Sequence, residues 1–160
     1  PRSMSDKEIS YWLMKSEPDV YSIKDLKNEQ ETLWDGIRNY QARNFMRSMK
    51  IGDQAFYYHS NTKPPGIVGL MEVIETHLID PFQFDESSKY FDKKSKRENP
   101  RWDCVKTKYI CEFKNMLTLK ELSETYTSEE LTLVRKGNRL SIMPINKNIA
   151  LELLKKLKKN

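Results

Sequence analysis

Apolar and polar positions alternate in three ways along this chain, and each way predicts a different element. Ile9 to Met14 reads as a first strand, and it closes in the polar turn Lys15-Ser16-Glu17-Pro18. Ser22-x-x-Asp25 follows: a serine side chain there can cap free amides, and an acid suits the positive end of a helix dipole. A short helix to about Asn28 is therefore expected. After the turn at Gly36, Ala42, Phe45, Met46 and Met49 recur at helical spacing, while Asn39, Arg43, Arg47 and Lys50 share the adjoining face, and Gly52-Asp53 ends the helix. Gln54 to Ser60 then alternates as a strand. A loop with Pro64, Pro65 and Gly66 joins it to a second strand, Ile67 to Glu75, as a hairpin.

From Ile79 to Arg101 no period is sustained, and the stretch reads as a long irregular excursion, a kind of loop that often carries function. Val105, Thr107, Tyr109, Cys111 and Phe113 alternate with more polar positions as a half-buried strand. Thr118-x-x-Glu121 predicts a capped short helix, Ser128 the start of another, and Arg139 to Met143 a brief last strand. Asn146 opens a terminal helix whose Ile149, Leu153, Leu154 and Leu157 form an apolar stripe. Hairpins and a late strand return, without regular strand-helix-strand alternation, predict a small, mostly antiparallel, barrel-like α+β domain rather than a doubly wound sheet. At 160 residues, one domain over 4–160 is expected, with residues 1–3 read as a vector-derived start.

Composition narrows the chemistry. The longest apolar runs fall far short of the roughly 20 residues that cross a bilayer, so no membrane span is expected. No basic start followed by an apolar segment marks the chain for secretion, and an intracellular monomer is expected, nuclear if the source is eukaryotic. Net charge is +5 and the isoelectric point near 9.1, which points toward nucleic acid. Setting aside Arg2 and the lysines at 155, 156, 158 and 159 leaves a near-neutral body, so position matters more than total. Between Asp35 and Asp53 every charged residue is basic: Arg38, Arg43, Arg47 and Lys50. That run is either a phosphate-binding face or an ordinary solvated one.

Cys104 and Cys111 sit in a strand pattern with no Cys-x-x-Cys pair, and His59 and His77 are the only histidines. Neither a disulfide nor a zinc site is predicted, and no metal or other cofactor is expected. No Gly-x-Ser-x-Gly elbow frames a nucleophile, and the five glycines are too dispersed for a phosphate-cradling loop. Glu17, Asp35 and His59 remain as an acid or base set for a nucleic-acid-processing enzyme of nuclease type. Phe82 to Phe91 is open as a surface for binding another protein.

The stronger signal is Trp34-Asp35-Gly36-Ile37-Arg38-Asn39-Tyr40, which sets a large aromatic and a flexible turn directly before the basic helix. Stacking on an aromatic face contributes roughly 1 to 3 kcal/mol per base and tolerates any base, while edge hydrogen bonds select. Trp34 as a plain core residue is the competing reading. Trp102, after Asn99-Pro100-Arg101, either closes a pocket or pins the excursion to the body. Tyr58, His59 and Ser60 end a strand, where barrel mouths collect ligands, although a histidine there is by default structural.

Lys15-Ser16-Glu17-Pro18, Trp34 through Asn44, Tyr57-Tyr58-His59-Ser60, Asn99-Pro100-Arg101-Trp102 and Arg139 through Pro144 together resemble the EVE domain family, over about Tyr11 to Leu157. The eleven residues from Trp34 to Asn44 are its most specific part. The resemblance implies a PUA-like fold, a small β-barrel with flanking helices similar to the YTH domain, whose members bind modified bases in DNA or RNA through an aromatic-walled pocket. By position it implies a noncatalytic base-binding site made by Lys15, Ser16, Glu17, Trp34, Gly36, Asn39, Tyr40, Tyr58, His59, Ser60, Trp102 and Ser141. Trp34 and Trp102 would be facing walls, and Ser16, Asn39 and Ser60 would read the base edge. Arg38, Arg43, Arg47, Lys50 and Arg139 would hold the nucleic-acid backbone. Burying one added methyl is worth only about 0.8 kcal/mol, roughly fourfold, so a shaped cage and phosphate contacts must supply the rest.

Overall fold

A computed structural model describes residues 8–158; the expected vector-derived start and Lys159 lie outside the described residues. The elements are β1 (Tyr11–Ser16), α1 (Ile23–Glu29), β2 (Glu31–Trp34), α2 (Tyr40–Arg47), β3 (Gln54–His59), β4 (Gly66–Ile79), β5 (Asp103–Thr118), α3 (Leu119–Thr125), β6 (Ile142–Ile145) and α4 (Lys147–Lys158). Short 3-10 turns occupy Pro81–Phe84 and Thr132–Val134. The strands form one sheet in the order β2-β5-β4-β3-β1-β6. Every pairing is antiparallel except β1 with β3. This is the α+β, mostly antiparallel architecture that the pattern predicts.

The long apolar runs of β1 and β3 follow from burial on both sides of the sheet. Leu13, Phe56 and Tyr58 pack with Leu122, Leu131, Ile149, Leu153 and Leu157 on one face, under α3 and α4. Trp12, Met14, Ala55 and Tyr57 pack with Ile23, Leu26, Trp34, Ala42 and Met46 on the other, under α1 and α2. Each fully buried aliphatic side chain contributes roughly 1.5 to 3 kcal/mol, so the two clusters hold the sheet between helical layers.

Helix ends match their local signals. Ser22 caps α1 in a reciprocal box with Asp25, Thr118 does the same for α3 with Glu121, and Asn146 accepts from the amide of Asn148 at the start of α4. Ser128 starts no helix: Thr127 and Glu130 form the reciprocal box there, and it closes only a turn. β2 has no counterpart in the sequence reading. Of its four residues only Trp34 is buried, and its Leu33 is partly exposed, so no apolar period marks it. The last strand runs from Ile142 to Ile145 rather than Arg139 to Met143, while β4 and β5 extend beyond their predicted ends through several bulges.

The excursion is ordered, not loose. Gln83 is fully buried and its amide joins both ends of the segment: Nε2 donates to the carbonyls of Asp80 and Trp102, each at 2.7 Å. Its Oε1 accepts from Ser95 Oγ and from the amides of Arg101 and Trp102. One side chain thus replaces the ladder that an irregular backbone lacks. Both cysteines are free; burial pushes the Cys104 thiol up to about 12 and the Cys111 thiol up as well, which disfavours the nucleophilic thiolate. No described helix is long and apolar enough to cross a membrane, and no described group of three or more His, Cys, Asp or Glu side chains converges as metal ligands would.

Candidate base-binding cleft

Parallel pairing of β1 and β3 lays their C-terminal ends side by side, with Ser16 opposite His59. The amide of Ser60 then donates to the carbonyl of Ser16, and that of Lys15 to the carbonyl of Ser141, so three distant segments meet. The fourth comes from β2. Trp34 sits edge-on to Tyr57 of β3 at 5.3 Å between ring centroids and 85° between planes. β2 lies three strands from β3 in the sheet order, and the two aromatic side chains meet across that gap. Enclosed by these segments and the excursion is a cleft of about 660 Å³, lined by Lys15, Ser16, Glu17, Trp34, Asp35 and Gly36, with Ser60, Ser141, Tyr21 and Tyr90 and the cations Lys89 and Arg139.

The turn that forms one wall is held from behind. Asp80, wholly buried, accepts from the amide of Gly36 at 2.8 Å, from Arg38 Nη1 at 2.9 Å and from the amide of Phe82 at 2.7 Å. Gly36 has φ +78°, and a Cβ there would lie 2.7 Å from the Tyr90 ring, so the aromatic is able to pack on the turn only because the side chain is missing. Gly36→Ala is therefore expected to destabilise the fold by about 1 to 3 kcal/mol from backbone strain and to displace Tyr90 from the cleft. A melting curve together with a shifted Tyr90 resonance checks it.

Eight of the expected site residues line this cleft: Lys15, Ser16, Glu17, Trp34, Gly36, Ser60, Arg139 and Ser141. The others lie elsewhere for reasons visible in their partners. Asn39 caps α2, its Oδ1 accepting from the amide of Ala42. Tyr58 belongs to the core on the α3 and α4 side, with the Lys15 ammonium 5.6 Å over its ring. His59 Nε2 accepts from the amide of Ile23 at the start of α1, and burial lowers its pKa, so it stays a neutral acceptor whose lone pair is taken. Among the acid and base candidates, Glu17 and Asp35 line the cleft and His59 does not.

The expected pair of facing indoles is not what the structure shows. Trp102 is buried, donates from Nε1 to Asp92 at 2.8 Å, and stacks on Tyr40 at 4.8 Å and 22°. It pins the excursion to the body. A ladder of stacked cations and rings runs from there to the cleft: Arg43 over Tyr40, Tyr40 on Trp102, Arg38 over both Trp102 and Tyr90, and Lys89 over Tyr90. Tyr90, not Trp102, is the aromatic that shares the cleft with Trp34.

The basic run also reads differently in three dimensions, since acids meet it, two of them from distant segments. Arg38 pairs with Asp80, Arg47 with Asp103 at 2.9 Å, and Lys50 with Asp53 at 3.4 Å, while Arg43 Nη1 donates to the carbonyl of Arg101. Arg38 is the most committed of these, with Nε also on the carbonyl of Tyr90. Lys89 and Arg139 at the cleft make no ion pair among the described residues. Tyr21, Lys89 and Tyr90 went unnoticed in the sequence because nothing about their neighbours distinguishes them. Burial and a bond to Glu29 push the Tyr21 phenol up to about 12.

Comparison with known proteins fits this geometry. The chain is 41% identical over 154 residues to thymocyte nuclear protein 1 of Homo sapiens, covering 85% of this chain and 68% of the relative. Its fold matches a Pseudomonas syringae protein at 44% identity and TM-score 0.88, covering 92% of this chain and 99% of that one. It also matches human THYN1 in complex with 5-methylcytosine-containing DNA, at 39% identity and TM-score 0.86, covering 94% and 99%. A YTH domain at 13% identity and TM-score 0.51 shares the fold alone. Residues 10–156 match the EVE domain model, a span that takes in every segment lining the cleft. With its PUA-like α+β sheet and the Trp34 turn at its mouth, this chain belongs to the EVE domain family.

Proposed function

We propose that this protein is a noncatalytic module that binds nucleic acid and takes a single base, of modified cytosine type, into the cleft beside Trp34. The observation that carries this reading is the cleft itself: about 660 Å³ at the end of the parallel strand pair, with an indole in one wall and cations at its edge. The volume accommodates a nucleoside, Trp34 supplies a stacking face, and Lys15, Lys89 and Arg139 provide positive charge where a backbone would pass. The complex of human THYN1 with DNA containing 5-methylcytosine supports the same ligand class. Backbone contact falls mainly to Lys89 and Arg139. Arg47, paired with partly hydrated Asp103, can exchange its acid for phosphate at little cost, whereas Arg38 and Lys50 face the wholly buried carboxylates of Asp80 and Asp53.

Fluorescence anisotropy with otherwise identical oligonucleotides carrying cytosine, 5-methylcytosine or 5-hydroxymethylcytosine, each at two salt concentrations, tests this. A modified base is expected to bind more tightly than cytosine, and affinity to fall with log salt with a slope near −0.9 for each phosphate neutralised on duplex, or −0.7 on single strands. Equal and undetectable binding of all three would exclude the reading. Turnover of excess RNA or DNA, abolished by Glu17→Gln or Asp35→Asn, would instead favour an enzyme.

A further inference from the structure

Asp35 differs from the wholly buried acids Asp80 and Asp53. Asp80 accepts three hydrogen bonds, and Asp53 accepts from the amides of Ser10 and Lys50 and from Trp12 Nε1. Asp35 lines the cleft beside Trp34, and the hydrogen bond its carboxylate receives comes from its own backbone amide. It is half-buried, and among the described residues no side chain hydrogen-bonds to it.

Resting on the reading above, we propose that Asp35 selects the base, accepting the exocyclic amino group of a cytosine-type base and rejecting thymine or uracil. A carboxylate offers only acceptors, and an aspartate taking the N4 amino of cytosine is an established pairing. Thymine presents a carbonyl oxygen at the same position, so two acceptors would face one another with neither satisfied. Burial, then repulsion from Asp80, raises the Asp35 pKa against the opposing pull of Arg38, which strengthens the carboxylate as an acceptor. The other charged groups that line the cleft are Lys15, Glu17, Lys89 and Arg139. Lys15 adds a donor suited to the O2 carbonyl that every pyrimidine carries.

The pair 5-methylcytosine and thymine isolates this edge, because the two share ring, methyl group and stacking surface and differ at positions 3 and 4. Single-stranded oligonucleotides with one or the other at a central position would be titrated into the wild-type protein and into Asp35→Asn. The wild type is expected to favour 5-methylcytosine by at least about tenfold, and the variant, whose amide both donates and accepts, by about threefold or less. Melting curves are expected to show Asp35→Asn at least as stable as the wild type; Asp35→Ser serves as a second variant that also lacks the charge. Equal affinities or a thymine preference in the wild type would overturn the assignment while leaving a base-binding module in place, as would an undiminished preference in both variants. Failure of the wild type to bind either oligonucleotide would overturn the parent reading and this one with it.

Discussion

Asp80→Ala is expected to destabilise the protein by about 3 to 5 kcal/mol, the cost of breaking an ion pair whose acid is wholly out of water. The loss has three parts. Gly36 and Phe82 keep amides without partners, and the Arg38 guanidinium, whose Nη2 already lacks a partner, loses its counter-charge between Tyr90 and Trp102. Chemical unfolding monitored by circular dichroism checks the magnitude. Asp103→Ala is the control: it frees Arg47 at the surface, where both partners are partly hydrated, and should cost no more than about 1 kcal/mol. Asp80→Ala should also weaken base binding, since the same carboxylate fixes the turn that carries Trp34 and Gly36. A change of similar size in the two variants would mean that Asp80 is not the anchor.

Trp34→Leu is expected to reduce affinity for a modified oligonucleotide by roughly 5- to 150-fold, the equivalent of about 1 to 3 kcal/mol of lost stacking. Leucine keeps the site apolar beside Tyr57, so the protein should still fold. Trp34→Ala would confound the measurement, because truncating a buried indole leaves a cavity and costs about 3 to 5 kcal/mol of stability. Trp102→Leu provides the contrast. Trp102 lies away from the cleft, so its loss should lower the melting temperature first and affect binding only through the ladder that ends at Tyr90. A folded Trp34→Leu protein that binds like wild type would rule out stacking on this indole.

Much of the architecture was legible because its signals are local. Capping boxes at Ser22 and Thr118, the strand pattern from Ile9 to Met14 and the apolar stripe of the last helix each depend on neighbours within a few residues. The site was half legible. Trp34, Gly36, the turn at Lys15 and the Arg139 segment lie in short stretches of unusual composition, and the sheet brings them together. What sequence could not supply was pairing across distance. Arg38, Arg47 and Lys50 form a run of one sign, yet their partners include Asp80 and Asp103, more than forty residues away. Trp102 carries the same residue type as Trp34, but only the stack on Tyr40 and the bond to Asp92 reveal it as a fastener. β2 is hard to see in the sequence because an edge strand of four residues, only one of them buried, has no period to detect.

The division of the interior by the sheet has a further bearing on how this protein can change. Trp34 and Tyr57 belong to the packing under α1 and α2, whereas Ile149, Leu153 and Leu157 belong to that under α3 and α4. The packing under α1 and α2 thus carries both stability and the Trp34 wall of the cleft, whereas the packing under α3 and α4 carries stability without that wall. Substitutions at Ile149, Leu153 or Leu157 can therefore adjust how long the native state lasts while leaving the neighbours of Trp34 in place, whereas a change on the Trp34 side shifts recognition and stability together.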